Sequence, residues 1–513
     1  MSDALSRADI EHVGHKNALR VRRIGIDTQH ETVVFMRKDC HVCRSEGFTA
    51  HTRIRLTNGA RSIIATLYQV TGPLLAHGEA GLSESAWLQL GVSDGETITA
   101  SHPRPLDSLG KVRGKVYGKK LGAEDTSEIV ADIVAGSYSD IHLSAFVTAC
   151  SARPLDTEEI IGLTRAMVEV GEKLTWGAHP VMDKHCVGGL PGNRTTPIVV
   201  AIVTACGLTM PKTSSRAITS PAGTADTMET LAPVDLDLAA MRRVVEREGG
   251  CVIWGGAVRL SPADDILIRI ERALDLDAEG QLVASVLSKK IAAGATRLVL
   301  DLPVGPTAKV RGTAAAKSLS NTLAVVAKAF GIEAHTVFSD GTQPVGRGIG
   351  PALEAHDVLA VLQNKFSAPA DLRERSVALA ASLLEIGGAA ATGVGAGLAT
   401  AVLADGRAWR KFQAICEAQG GMREPTIAPY RRPVVANAPG AVREIDNRRI
   451  AKVAKLAGAP DAKAAGLELH VRLGERVASG QPLYTLHAEA PGELDYALQY
   501  AAANRDIIRI GER

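Results

Sequence analysis

Along the first hundred residues, apolar and polar positions alternate in short runs. ALRVRRIGI, TVVFMR, TRIRLT, RSIIATLYQV and ETITASH follow this pattern, with Gly, Asn and Asp between them. Period-two alternation predicts strands with one buried face, and their succession predicts a β-barrel-like domain over 1–100. The period then changes. SDIHLSAFVTACS and DTEEIIGLTRAMVEVGEKL carry apolar residues at three-and-four spacing, which predicts an all-α domain over 106–176. Asp125 with Glu128, and Asp156 with Glu159, have capping-box spacing.

From 179 to 430, strand-like and helix-like segments alternate, as in a large α/β domain with a mixed sheet. RLVLDLPVG and HTVFSDG read as strands that each run into a glycine-rich turn, the usual place for ligand loops. The segment 263–293 is expected to join the helical domain in space, and the Ala/Gly-rich stretch 376–404 suits close helix packing. Residues 431–513 read as a small C-terminal α+β domain. Its GLELHVRLGERVASGQPLYTLHAE resembles a lipoyl-like sandwich but has no lysine at the hairpin tip to carry a cofactor. The expected fold is therefore α/β and multidomain.

Composition narrows the class. A chain of 513 residues, 46% hydrophobic, is too long for one core. A net charge of +2 implies no bulk attraction to a nucleic-acid polymer or a membrane. Seven scattered cysteines fit a reducing cytoplasm better than a disulfide framework. The opening MSDALSRADIEHVGHK is too polar for a signal peptide, and no run approaches the ~20 apolar residues of a membrane helix. A soluble cytoplasmic protein is expected. Cys40-His41-Val42-Cys43 lacks the second ligand pair that a zinc site needs, so it reads as structural and no metal is expected.

The candidate chemistry centres on Asp183–Thr196, DKHCVGGLPGNRTT, followed by the apolar run PIVVAIVTACGL. Gly188, Gly189 and Gly192 permit tight turns that gather backbone N–H groups, and a helix N-terminus behind them favours an anion. Lys184 adds a full charge, while Thr195 and Thr196 add hydroxyls. Glycines alone would indicate only a turn; this combination points to phosphate. The second stretch, TSSRAITSPAGTADTMET, supplies Ser214, Ser215, Thr219, Ser220 and Thr224, with Arg216 as a planar fork for phosphate or carbonyl. The third carries Ser285, Ser288, Lys289 and Lys290, which could equally be a solvated helix face. The fourth, FSDGTQPVGRGIGPALEAHD, places Pro351 to start a helix.

These stretches resemble the thymidine/pyrimidine-nucleoside phosphorylases over roughly residues 106 to 500. The N-terminal domain and the forms GGLPGNRTT and DGTQPVGRGIGPALEA are closer still to the long branch, which includes the archaeal AMP phosphorylases. The resemblance implies a pentosyltransferase that uses inorganic phosphate as co-substrate, without a cofactor, and works as a homodimer or larger homo-oligomer. Orthophosphate would attack C1′ of a nucleoside or nucleotide, giving free base and a pentose 1-phosphate.

By resemblance, Lys184, Cys186, Gly188, Gly189, Thr196, Ser214 and Thr224 line the phosphate pocket. Arg272, Ser285 and Lys289 match base-contacting positions. Nucleotide binding in the AMP branch implies Gly189, Ser215, Arg216, Ala217, Ile218, Thr219, Ser220, Thr224, Ser285 and Lys309. Lys184, His185 and Asp277 take catalytic roles: His185 could share a proton, and Asp277 matches the proposed donor to a departing purine. Cys186 stands where the family usually has serine, and a thiol is the weaker donor.

Three activities follow from this reading: thymidine-type phosphorolysis, an AMP or other nucleotide phosphorolysis giving ribose 1,5-bisphosphate, and an anthranilate-type phosphoribosyl transfer. The third would want an acidic Mg²⁺ motif, for which Asp264-Asp265 is the tempting pair. Arg216, Asp277 and PGNRTT favour the second. A non-enzymatic binding protein would be expected to lack one of the donor stretches.

Overall fold

The computed structural model describes residues 17–177, 179–217, 220–276 and 278–511. Ile218, Thr219 and Asp277 lie outside the described residues. The chain divides into two compact units. The first runs to Leu121 and takes in Glu128–Ala149; the second combines Gly122–Ser127 with Cys150–Arg513.

The alternating N-terminal runs close into a six-stranded barrel. Around it stand Ala18–Arg23, Glu79–Leu82, Val33–Arg37, Arg61–Val70, Arg53–Asn58 and Thr97–Ser101, the last pairing back with the first. Inward positions such as Leu19, Val21, Ile54, Leu56 and Ile98 are buried, as the alternation requires. The strand Glu79–Leu82 was not anticipated, because EAGL has too little β-branched character to announce itself. Cys40 caps the short helix His41–Glu46, its Sγ accepting the Cys43 N–H at 3.2 Å, and both thiols are buried. The helix Ala123–Val134 places Asp125 inside its first turn, where the carboxylate reaches back to the Gly122 N–H at 3.0 Å. Asp125 is thus the third residue of that helix rather than its cap.

The second unit is built on parallel strands. Glu333–Asp340, Arg297–Val304 and Met182–Cys186 form one ladder, Met210–Ser214 pairs with Gly250–Trp254, and the bridge Val181–Thr209 joins the two. Antiparallel pairing enters at Gly348–Ile349, against Gly466–Leu469. The helix Thr195–Ala205 is mostly apolar and buried from Thr195 to Thr204, packed against Ala370–Ile386 and Arg407–Ala418. Close approach holds where small residues foretold it: a Cβ on Gly395 would stand 2.5 Å from the Ala381 carbonyl oxygen. The helix Glu279–Ala292 packs on Thr157–Glu169, whose start carries the full Asp156/Glu159 capping box. Strands and two helices, Asn447–Leu456 and Pro491–Ala503, complete the C-terminal part around its own core.

Candidate active site

The strand Met182–Cys186 ends where the glycine loop begins, and its alternation sorts the chemistry onto two faces. Lys184 and Cys186 share one; Asp183 and His185 share the other.

On the first face, Lys184 is 1% exposed and its Nζ donates to Thr195 Oγ1 at 2.6 Å, with Thr196 Oγ1 at 3.4 Å. Burial lowers the ammonium pKa, an effect that the Asp301 carboxylate opposes. Gly189 and Gly192 turn the loop with φ of 53° and 73°. At Gly192 a side chain has no room, since a Cβ would lie 2.0 Å from the Val345 carbonyl oxygen. Asn193 Nδ2 donates to Cys186 Sγ and to Asp301 Oδ2, each at 3.1 Å. Burial, then the Asp301 charge, push the Cys186 thiol pKa up, so it stays protonated and is no nucleophile.

Arg194 precedes the buried helix and organises the neighbouring loop. Its Nε donates to Glu354 Oε2 at 2.6 Å, Nη1 to Thr224 Oγ1 at 2.8 Å and Nη2 to the Ala222 carbonyl at 2.8 Å. Thr224 is thereby tied to the Lys184 loop through an arginine not expected to act there. Ser214 ends its strand buried, and its Oγ has no hydrogen-bond partner among the described residues. A buried hydroxyl left unmet costs on the order of 1–3 kcal/mol, which an incoming oxyanion would relieve.

On the second face, Asp183 is fully enclosed and bridges two buried lysines, Lys212 at 3.0 Å and Lys290 at 2.9 Å. Burial pushes the Asp183 carboxyl up, but the two ammonium groups outweigh it and hold its pKa below the usual range. Burial brings Lys290 down to about 7. His185 sits in the field of Lys290, Lys212, Lys289 and Lys184, which together with burial keep its pKa well below normal. It is a neutral imidazole, able to donate or accept one proton-bearing hydrogen bond. Lys289 pairs with the buried Asp264 and reaches Ser285 Oγ at 3.5 Å. Lys290 and Ser288 are buried, so this stretch is not a solvated face.

Other expected positions stand differently. Arg216 forks onto Glu229 at 2.8 and 2.9 Å, contacts Asp226 at 3.3 Å and lies over the Trp254 ring. The Glu229 partner hydrogen bonds lower that carboxyl to about 2. The N–H groups of Ala217 and Gly223 both donate to Asp226 Oδ2, and Ser220 Oγ donates to the Ala222 carbonyl. Ser215 and Lys309 are exposed, and Gly188 packs against Pro303. Arg272 is exposed late in the helix Pro262–Leu274 and makes no hydrogen bond to the Lys184 loop. Asp264 is taken up by Lys289, and among the described residues no group of three His, Cys, Asp or Glu side chains could hold a metal ion.

Three family models match: the glycosyl transferase family a/b domain over 178–409, its helical bundle domain over 111–171, and the pyrimidine nucleoside phosphorylase C-terminal domain over 441–508. A protein from Polaromonas sp., described as "Putative thymidine phosphorylase", is 62% identical, covering 96% of this chain and 97% of its own. One of the same description from Legionella pneumophila is 57% identical over 97% of this chain and 96% of its own. The chain belongs to the thymidine phosphorylase family. It is a pentosyltransferase, and the glycine loop, Lys184 and Ser214 all fall within the a/b match. Anthranilate phosphoribosyltransferase from Thermus thermophilus shares the fold, with a TM-score of 0.50 at 21% identity over 60% of this chain and 98% of its own.

The residues that sequence reasoning passed over are Asn193, Arg194, Lys212, Asp301 and Glu354. Arg194 did leave a signal, being a charged residue directly before a largely apolar helix, and Asn193 stands beside it. Lys212, Asp301 and Glu354 lie far from this loop in sequence, and the parallel register brings Asp301 opposite Cys186.

Proposed function

We propose that this member of the family cleaves the N-glycosidic bond of a pyrimidine nucleoside with inorganic phosphate, thymidine being the first candidate. Thymine and 2-deoxyribose 1-phosphate would be the products. The observation that carries the reading is the buried donor set at the Lys184 loop: Lys184 Nζ on the Thr195 and Thr196 hydroxyls, with Ser214 ending another strand of the unit buried and without a hydrogen-bond partner among the described residues. Phosphate held there is positioned as a nucleophile, an effect worth several kcal/mol, roughly 7–11 at its limit. The departing base would be met by His185, which burial keeps neutral and able to share a proton, and by nearby lysine charge. No metal enters this scheme; the chain's own cations supply the charge.

The nucleotide alternative rested on Asp277, which lies outside the described residues, on the PGNRTT form, and on Arg216 as a fork for phosphate or carbonyl. That side chain is engaged by Glu229 and Asp226, which favours a substrate without a 5′-phosphate. The test is incubation of the purified protein with orthophosphate and thymidine, uridine, AMP, CMP or UMP, followed by chromatography of free base. Thymine release only in the presence of phosphate is expected. Release from AMP but not from thymidine would overturn the substrate assignment, and release without phosphate would overturn the reaction.

A further inference from the structure

A second cationic cavity lies wholly within the first unit, between the barrel and the segment that follows it. It encloses about 150 Å³ and is lined by Arg53, Arg55 and Arg104, with His142 and Ser137 beside them and Ile64, Pro103 and Leu106 as the apolar wall. Among the described residues no carboxylate lines it, although the Glu31 and Asp140 charges reach Arg53 and oppose the lowering of its pKa by burial.

The arginines are unequally satisfied. Arg104 donates to Asp132 at 2.6 Å. Arg53 gives Nη1 to Thr66 Oγ1 and Nη2 to the Gly136 carbonyl, but its buried Nε has no hydrogen-bond partner among the described residues. Half-buried Arg55 likewise has a buried Nε with no hydrogen-bond partner among the described residues. Two guanidinium groups from alternate positions of one strand thus present unmet N–H donors close together. Guanidinium groups cannot shed their charge, so burying them without acceptors is costly.

His142 completes the donor set. Its Nδ1 accepts the Ser139 N–H at 3.2 Å, and burial, followed by the Arg53 charge, keeps the ring neutral. A neutral imidazole accepting at Nδ1 carries its proton on Nε2, which makes that atom a donor. Charge-bearing forks and a neutral N–H donor in a small enclosure suit a tetrahedral oxyanion.

We propose that this cavity binds a phosphoryl group, as free phosphate or as the head of a small phosphomonoester, at a site separate from the Lys184 cradle. Occupancy would tie the strand Arg53–Asn58 to the segment around Ser137. This inference does not depend on the reaction assigned above.

Equilibrium dialysis of the full chain against labelled orthophosphate tests it, with Arg55→Gln and Lys184→Met as separate variants. Arg55→Gln is expected to bind one equivalent less than the wild type with unchanged folding, and Lys184→Met to retain the equivalent that Arg55→Gln lacks. Arg55→Lys should recover binding in part, weakened about tenfold because the fork is lost. Crystals soaked in sodium selenate should show anomalous density against Arg53 and Arg55. A parallel titration with a pentose 5-phosphate separates the two sources: tighter binding than orthophosphate assigns the ester, equal binding the free anion. Identical stoichiometry in the wild type and Arg55→Gln, with no density at the arginines, would overturn the proposal.

Discussion

Lys184 carries its charge where water does not reach, held by two threonine hydroxyls from the start of the next helix. Such an ammonium is poorly satisfied until an anion arrives, so its removal should act on phosphate rather than on the fold. Lys184→Met, which keeps the buried volume, is expected to lower phosphate-dependent base release by at least about 10²-fold with a near-normal melting transition; unchanged turnover would count against the cradle. His185 gives a pH prediction. The unfolded imidazole takes a proton near pH 6.5, the folded one only well below, so the unfolded state binds more protons in between. Stability should therefore fall as pH drops below about 6.5, and His185→Asn should flatten that part of the slope. Urea midpoints at about pH 7.5 and about pH 5.5 test this, and equal slopes in the two proteins would contradict it. At this scale the sequence was partly legible. Lysine, glycines and threonines in one short run announced the cradle because they are neighbours in sequence. The partners that Arg216 has in the structure, Asp226 and Glu229, lie 10 and 13 positions away across a loop. Nothing in the spacing tells a fork facing phosphate from one facing a carboxylate.

Loops and helices fix these side chains, and their junctions are the places to break the site without touching it. Gly192 adopts a positive φ and lies against the Val345 carbonyl, so Gly192→Ala should cost roughly 1–3 kcal/mol and loosen the anion loop. A rise in KM for phosphate alongside the drop in urea midpoint is the expected pair of readings; an unchanged midpoint would show that the loop is less constrained than described. The buried ion pair between Arg194 and Glu354 links that loop to the helix Pro351–Leu362. Arg194→Met strands a buried carboxylate, which costs about 3–5 kcal/mol, and releases Thr224 and Ala222 together. Calorimetry on this variant checks the cost. Elements with a strong period were readable from the chain alone: the barrel strands, the strands at 297–304 and 333–340, and the capped helix at Thr157. Glu79–Leu82 was not, because a four-residue strand of small and acidic residues owes its conformation to two neighbours rather than to its own pattern.

Across the whole molecule, the parallel sheet places the carboxyl ends of Met182–Cys186 and Met210–Ser214 beside two glycine-bearing loops. That arrangement follows from alternating strands and helices, and it was foreseeable. The pairing of distant groups was not, since register decides that Asp301 stands opposite Cys186 and that Asp183 receives two lysines. In the proposed reading, phosphate held at the Lys184 loop, at the carboxyl end of this sheet, attacks C1′ of a nucleoside bound in the same cleft. Thymidine incubated with the purified protein, with and without orthophosphate, tests this most directly. Thymine and 2-deoxyribose 1-phosphate should accumulate in equal amounts only when phosphate is present. Thymine release at the same rate in phosphate-free buffer, or none under either condition with every nucleoside and nucleotide of the panel, would contradict it.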